Sequence, residues 1–245
     1  MTASALAVNL SYIAVAFVPP VLWLIFYLRE DRHPEPKHLL ILTFIGGIVS
    51  VVFAVTAECA FVYLLSNGGS CREGFDYSVM HPFNLFLGIA FIEEYTKYLV
   101  VRFFILNRKD FDEPVDAMIY LITAALGFAA IENVLFLTPL LRENVFFGLE
   151  ITANRFLGAN LLHALSSGIV GFFLARAWFS PHRRHFIAIG IIIATLFHAG
   201  FNYLILLSGN LAERAFYIFL LLAVMSVMVF IDFEWLKKQP NEQAG

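Results

Sequence analysis

Two adjacent carboxylates and a lysine stand in the middle of a long apolar stretch, in the sequence Glu-Glu-x-x-Lys at residues 93–97. The surrounding run, 82–106, is long enough to cross a bilayer at about 1.5 Å per residue. A charged side chain at mid-membrane costs roughly 2.5–3.5 kcal/mol, so such groups pair with one another or serve a function. In a helix, Lys97 lies one turn from both Glu93 and Glu94 and can pair with either. One glutamate is therefore left over for chemistry.

Three other apolar segments also carry ionisable or amide groups, and we expect these groups to lie at similar depths, in the outer half of a bilayer. A buried glutamate can act as a general base toward water, and a second glutamate and a histidine can relay the proton. A histidine and an asparagine one turn apart can donate to a developing oxyanion. The candidates for this water-accessible cavity are Glu93, Glu94, Glu132, His163, His198 and Asn202, supported by Lys97 and Asn133.

The composition excludes a water-soluble domain. The 245 residues are 60% hydrophobic and only 14% charged, with a mean hydropathy of +0.78, which is typical of an integral membrane protein. The net charge of −3 says nothing about nucleic acid, but the lack of a basic patch interleaved with aromatics argues against it as a partner. The two cysteines, Cys59 and Cys71, make no metal motif, and we interpret them as a core thiol and a loop thiol.

The fold class predicted is all-α, a polytopic membrane bundle of about seven transmembrane helices. The bundle is predicted to form one domain, residues 1–233, followed by a short cytoplasmic tail, 234–245. Polar connections are predicted between the helices, at 29–38, 66–81, 107–114, 138–152, 179–185 and 208–213. The seven apolar segments are Asn9 to Leu28, Leu39 to Leu65, Pro82 to Leu106, Val115 to Leu137, Ala153 to Trp178, Phe186 to Leu207, and Arg214 to Phe233.

The distribution of lysine and arginine predicts the orientation. Alternate segment ends carry most of these residues, while the opposite ends hold only Arg72, Arg142, Arg155 and Arg214. The positive-inside rule therefore places the amino terminus outside and the carboxyl terminus in the cytoplasm of a cell whose plasma (inner) membrane the chain spans.

Structural roles and other functions compete with catalysis. Glu94 and Lys97 could form a purely structural ion pair, and His163 and His198 could be satisfied core histidines. A transporter or proton-coupled carrier would also place such groups in mid-membrane, but no internal repeat or helix break marks one here. A scaffold would use them only to hold helices together. Serine catalysis by Ser166 or Ser167 is disfavoured, because no Gly-x-Ser-x-Gly is present.

The order of these motifs resembles the PrsW family of bacterial intramembrane proteases, related to the CAAX-protease and bacteriocin-processing superfamily. The resemblance rests on Glu-Glu-x-x-Lys at 93–97, Phe-x-x-x-Glu-Asn at 128–133, His163, and His-x-x-x-Asn at 198–202, and also on Asp-Arg-His-Pro-Glu-Pro at 31–36. It covers about residues 27 to 203.

What the resemblance implies is hydrolysis of a peptide bond in a membrane-anchored protein, by analogy site-1 cleavage of an anti-sigma factor. Glu93 would activate water, Glu94 would be held by the cation, and His198 with Asn202 would stabilise the oxyanion. Compared with the superfamily, the cation Lys97 is one residue closer to the glutamates, and Glu132 stands where a histidine is expected, so His163 is a candidate for the missing imidazole.

We expect no cofactor, because Lys97 already offsets the charge that a metal would supply. A zinc-dependent variant stays open, since glutamate and histidine can hold zinc, but no His-Glu-x-x-His is present. The substrate's identity and the oligomeric state do not follow from the sequence.

The predicted orientation is testable with a reporter fused after Gly245. We expect a reporter that is active only in the cytoplasm to be active, because the charge bias places this end inside. A reporter active only outside the cell would contradict both the orientation and the count of seven crossings.

Overall fold

The computed structural model describes residues 3–65, 81–178, 180–206 and 210–239. All regular secondary structure in these ranges is helical, which confirms the predicted all-α class. The helices are α1 (Ala3–Tyr27), α2 (Lys37–Leu65), α3 (Pro82–Phe104), α4 (Pro114–Glu143), α5 (Val145–Leu157), α6 (Ala159–Trp178), α7 (Arg183–Leu206) and α8 (Leu211–Leu236).

Helix α4 is the centre of the bundle. It packs against α1, α2, α3, α5, α6 and α8, and every residue from 114 to 130 is buried. A helix that is apolar on all sides can satisfy its surface only by burial or by lipid. Helix α8 takes the second course and exposes large side chains such as Phe219 and Val227.

Two glycines let α2 and α4 approach each other closely. A Cβ atom added to Gly47 would lie 2.0 Å from the carbonyl oxygen of Ala124, and one added to Gly127 would lie 2.1 Å from that of Phe44. Helices in lipid associate through such close backbone packing, because lipid tails give no hydrophobic drive between helices. The two glycines therefore fix the distance between α2 and the helix that carries Glu132.

Six helical stretches are long and apolar enough to cross a membrane, with 145–178 counting as one. Helix α3, of 23 residues, is not one of these six and is the seventh crossing predicted from the sequence; it carries the three charged groups at 93–97, which lower its hydropathy. It packs against α2, α4, α6 and α7, so these charges face protein. The chain is thus a multi-pass membrane protein.

Contacts between the connections place the predicted cytoplasmic ends together. Lys237, after α8, donates to Glu30, after α1, at 2.6 Å. The ring of Phe111, before α4, lies 4.9 Å from that of Trp178, at the end of α6. The alternation of helix ends therefore agrees with seven crossings, and the assignment of this side to the cytoplasm stays a prediction.

The predicted polar connection 138–152 is wrong. Helix α4 continues to Glu143 and α5 begins at Val145, since the segment is largely apolar and the helix accommodates Pro139. The predicted fifth segment, 153–178, is broken at Gly158, whose φ of −98° and ψ of −96° end α5.

The remaining predicted boundaries agree within a few residues, except at the two ends. Helix α1 begins earlier, at Ala3, and α8 runs to Leu236, so the first residues assigned to the tail are still helical. Residues 240–245 and most of the predicted connection 66–81 lie outside the described residues.

Cys59, near the predicted outer end of α2, is disulfide-bonded, so its interpretation as a core thiol is wrong. Cys71 lies outside the described residues. Disulfides persist in oxidising compartments, and this bond agrees with the predicted orientation.

The close packing of α2 on α4 predicts that Gly127→Ala lowers the melting temperature in detergent. The added Cβ must push two backbones apart, and overpacking of this kind costs roughly 1–3 kcal/mol. Gly200→Ala is the matched control, because a Cβ there meets nothing within 4 Å and alanine favours helix by about 1 kcal/mol. Equal melting temperatures for the two variants would contradict the proposed packing.

Candidate functional site

The charged residues of α3 face the centre of the bundle. Glu94 and Lys97 are completely buried, and Glu93 is 5% exposed. Helix α3 packs mainly against α2 and α7 and also contacts α4 and α6. The turn from 93 to 97 lies against α6 and α7, because Glu94 bonds to Ser166 and His198 on those helices. This arrangement avoids exposing three charges to lipid, which would be costly.

The ammonium group of Lys97 connects the two glutamates to a histidine. Its Nζ lies 2.9 Å from Glu94 Oε1 and 3.4 Å from Glu93 Oε2, and 2.8 Å from His163 Nδ1. It also lies 4.5 Å above the ring of Phe128, a favourable position for a cation. Glu94 is the closer partner, and Glu93 is held more loosely.

Glu94 receives hydrogen bonds from three helices. Oε1 accepts from Ser166 Oγ at 2.9 Å, and Oε2 accepts from Ser167 Oγ at 2.8 Å. His198 Nδ1 lies 2.9 Å from Oε1. A buried carboxylate with this many donors is held in its charged form and in one position, so Glu94 has little freedom to act on a substrate.

These contacts fix the tautomers of both histidines. An ammonium has only donors, so Nδ1 of His163 accepts from Lys97, and the proton sits on Nε2, 2.7 Å from Glu132 Oε2. A carboxylate only accepts, so Nδ1 of His198 carries the proton and donates to Glu94. Nδ1 of His163, which accepts from Lys97, and the unprotonated Nε2 of His198 lie 3.9 Å and 3.7 Å from Glu93 Oε2.

Glu132 stands at the more open side of this cluster. Its side chain is 21% exposed, and Oε2 accepts from Arg155 of α5 at 3.3 Å as well as from His163. Arg155 also stacks over the ring of Phe136 at 4.7 Å. Glu58 of α2 interacts electrostatically with Glu132 and with Glu93, so α2 adds a fourth carboxylate to a region that already holds Glu93, Glu94 and Glu132.

A network of amides fixes the start of α6. Asn133 Nδ2 donates to Asn160 Oδ1 and to the carbonyl oxygen of Ala16, both at 3.0 Å. Arg155 Nε donates to Asn133 Oδ1 at 2.6 Å, and Asn160 Nδ2 donates to the carbonyl oxygen of Arg155 at 2.7 Å. The break at Gly158 lies inside this ring of bonds, so the network holds α6, and with it His163, against α4.

The structure brings together most of the residues that the sequence singles out. Glu93, Glu94, Lys97, His163 and His198 form one connected cluster, with Glu132 at its edge and Asn133 behind Glu132. Asn202 is partly exposed, and within the described part of the chain no hydrogen bond links its side chain to the cluster. Its place one turn from His198 still lets it face a bound substrate.

Sequence reasoning missed three residues of the cluster. Ser166 and Ser167 are partners of Glu94 rather than nucleophiles, and their position one turn after His163 was the available signal. Arg155 was counted only as an outer charge, because nothing in its spacing relates α5 to α4.

Comparisons with known proteins point to one family. The model for the PrsW family of intramembrane metalloproteases matches residues 35–231. Protease PrsW of Geobacillus kaustophilus (strain HTA426) is 31% identical over 182 residues, which are 74% of this chain and 73% of that protein. Protease PrsW of Bacillus subtilis (strain 168) is 27% identical over 187 residues, 76% and 78% of the two chains.

A more distant relative covers nearly the whole chain. Protease PrsW of Clostridioides difficile (strain 630) is 23% identical over 238 residues, 95% of this chain and 93% of that protein. No solved structure is significantly similar to the chain.

The family is one of metalloproteases, and three residues of the cluster could hold a metal ion. One donor atom each from Glu93, His163 and His198 lies within 4.8 Å of the other two, and two imidazoles with one carboxylate is a known catalytic zinc set. The second nitrogen of each ring is bound to a carboxylate, Glu132 or Glu94, which is the usual support for a ligating histidine. Lys97 is the competitor, since its Nζ contacts the nitrogen that His163 would offer.

The expectation of a metal-free site stays a prediction, and metal content tests it against the zinc-dependent alternative. If the zinc-dependent alternative is right, protein purified without chelator holds one zinc per chain, because both histidines are supported by carboxylates, and His163→Ala and His198→Ala each lose it. Glu213→Gln, at the surface end of α8, should bind metal as the wild type does. Metal-free wild-type protein that still cleaves would leave Lys97 as the cation of the site, as the sequence suggested.

Proposed function

We propose that the chain, which belongs to the PrsW family of intramembrane proteases, hydrolyses a peptide bond of a membrane-anchored protein, and that its own Glu93 activates the attacking water. The observation that carries the proposal is the convergence on Glu93 Oε2 of two imidazole nitrogens, His198 Nε2 at 3.7 Å and His163 Nδ1 at 3.9 Å. Among the described residues the first has no hydrogen-bond donor, and the second accepts from Lys97. The substrate proposed from the family resemblance is an anti-sigma factor, cut on its extracytoplasmic side.

Glu93 is the proposed base. Its carboxylate is the least firmly held acid of the buried cluster, since Lys97 prefers Glu94 by half an ångström. A water bound at Oε2 would give its proton to Glu93, which would pass it to the leaving amine as the peptide bond breaks. In the zinc-dependent alternative, Glu93, His163 and His198 would instead hold a divalent metal that polarises the scissile carbonyl and lowers the pKa of a bound water, and Glu93 would then be a ligand rather than the base.

The other residues set the positions of these groups. Glu132 keeps the proton of His163 on Nε2, and Glu94 keeps that of His198 on Nδ1, so the unprotonated nitrogen of each ring is the one nearer Glu93, with that of His163 accepting from Lys97. With this tautomer His198 can donate to an oxyanion only as an imidazolium. Asn202, whose amide has no partner in the described structure, is the simpler oxyanion donor in the proposed mechanism.

The test compares Glu93→Gln with Glu94→Gln in cells and in detergent. Glu93→Gln keeps its shape but cannot take a proton, so we expect normal yield and a loss of turnover of at least about 10², the lower end for removing a general base. Glu94→Gln weakens the charge pairing of buried Lys97, which is strongly destabilising for buried pairs, so its main effect should be on yield and melting temperature.

Turnover is measured as the disappearance of full-length single-span membrane proteins when each form is expressed in a strain lacking the enzyme. Proteins that accumulate whole with Glu93→Gln and are shortened with the wild type are the substrates. A folded Glu93→Gln variant that shortens the same proteins at the wild-type rate would contradict the proposed mechanism.

A further inference from the structure

A second group of buried acids lies at the opposite end of α4 from the candidate site. Asp116 is the third residue of α4, and Glu132 follows 16 residues later, which is about 24 Å along a helix. The group joins α4 to the connection between α1 and α2, which we call the 31–36 loop. The proposed function uses none of these residues.

Asp31 shapes the loop and directs Glu35 inward. The two carboxylate oxygens of Asp31 accept from the backbone N–H groups of His33 at 2.9 Å and Glu35 at 3.2 Å. Glu35 is only 7% exposed, and its Oε2 accepts a hydrogen bond of 2.5 Å from the hydroxyl of Tyr120, one turn along α4 from Asp116. The loop therefore docks on α4 through an acid rather than through an apolar side chain.

Asp116 lies one turn before Tyr120 on α4, and its two carboxylate oxygens differ in their partners. Its Oδ2 accepts from the backbone N–H groups of Asp112 at 2.9 Å and Glu113 at 2.8 Å. Its Oδ1 is buried and has no hydrogen-bond donor in the described structure. The side chains of Asp116 and Glu35 are nonetheless within hydrogen-bonding reach of each other. Two carboxylates cannot bond, but a carboxylic acid and a carboxylate can.

The surroundings offer negative charge instead of a compensating cation. Asp31 and Asp112 face Glu35, and Asp110 acts on Tyr120. Of the basic groups at this end of the bundle, His33 pairs with Glu113, Lys237 pairs with Glu30 and Glu234, and Arg32 acts on Glu234. Burial, and then the charges of Asp31 and Asp112, raise the pKa of Glu35 above the usual range, against hydrogen bonds from Tyr120 and Asp116 that lower it.

A bound divalent cation is a poorer explanation than a proton. Calcium takes six to eight oxygen ligands and magnesium six, whereas both oxygens of Asp31 and one of Asp116 are already used by backbone N–H groups. In the described residues, the grouping that offers three metal-ligating side chains is the one at Glu93.

We propose that Glu35 and Asp116 bind one proton between them, and that this shared proton fastens the 31–36 loop to the start of α4. When the proton leaves, two buried carboxylates face each other and the loop is released. The device responds to the pH on its own side of the membrane, which the predicted orientation makes the cytoplasm. It does not depend on the proposed peptidase mechanism.

The sign of the pH effect follows from linkage. The folded protein holds this proton more tightly than the unfolded chain does, so the stabilisation is complete at low pH and is lost as the pH rises through the shared pKa. Asn at position 116 can mimic the protonated acid, because its amide can donate to Glu35 while its oxygen keeps the bonds from Asp112 and Glu113.

The experiment measures melting temperature in detergent against pH for the full-length wild type, Asp116→Asn and Glu35→Gln. We expect the wild type to lose stability as the pH rises from about 5 to 9, and each variant to lose less, by about 2–4 °C, an ordinary single-site shift for a chain of this length. Glu234→Gln is the control, because that acid is at the same end but its side chain is 56% exposed, and it should keep the wild-type slope.

Infrared difference spectra of the wild type on a pH step provide the second measurement. A carboxylic C=O band should disappear as the pH rises, and it should be absent from Asp116→Asn and Glu35→Gln. Wild-type spectra without such a band, or an unchanged pH slope in both variants, would overturn the proposal. If either variant fails to fold, the wild-type band and the remaining variant still decide it.

Discussion

The ion pair of Lys97 with Glu94 is the interaction on which the site depends. Placing either charge alone inside a membrane bundle would be costly, and the pair is stable because hydroxyl and imidazole groups complete it. Ser166 and Ser167 bring α6 to the carboxylate and His198 brings α7. The pair thus acts as the anchor at which three helices meet, and Glu93 is positioned because its neighbour is fully engaged.

This anchor explains why the two adjacent glutamates differ. They have the same chemistry and differ in sequence by one position, but a step of one residue turns a helix by about 100°. One carboxylate points into a set of donors, and the other points toward two lone pairs. In the proposed mechanism this difference in environment separates the roles of two carboxylates within one site.

The sequence predicted the helices and the chemistry better than the connections between them. Apolar length sufficed for the all-helical class and for most helix positions, since a bilayer demands long apolar helices; the seven crossings and their orientation stay predictions. The helical extension of α4 to Glu143 and the break at Gly158 were missed, because tertiary packing and not composition decides them. Within the site, groups such as Glu93 and His198 were identifiable from the cost of burying them. Arg155 was not, because its partner Glu132 is on another helix and no sequence spacing reveals that contact.

The length of α4 has a consequence for the chain that is cut. Its 30 residues extend about 45 Å, while the hydrocarbon core is about 30 Å thick, so its outer end rises above the core together with α5. With Pro114 at the inner boundary of the hydrocarbon, as the predicted orientation implies, Glu132 lies 18 residues or about 27 Å further along the helix, close to the outer boundary. A substrate's peptide bond at that depth would lie in the last turn of its own transmembrane helix, where backbone groups can form hydrogen bonds with water. Only that turn has to unwind, and the unmet hydrogen bonds that would penalise unwinding at mid-membrane do not arise.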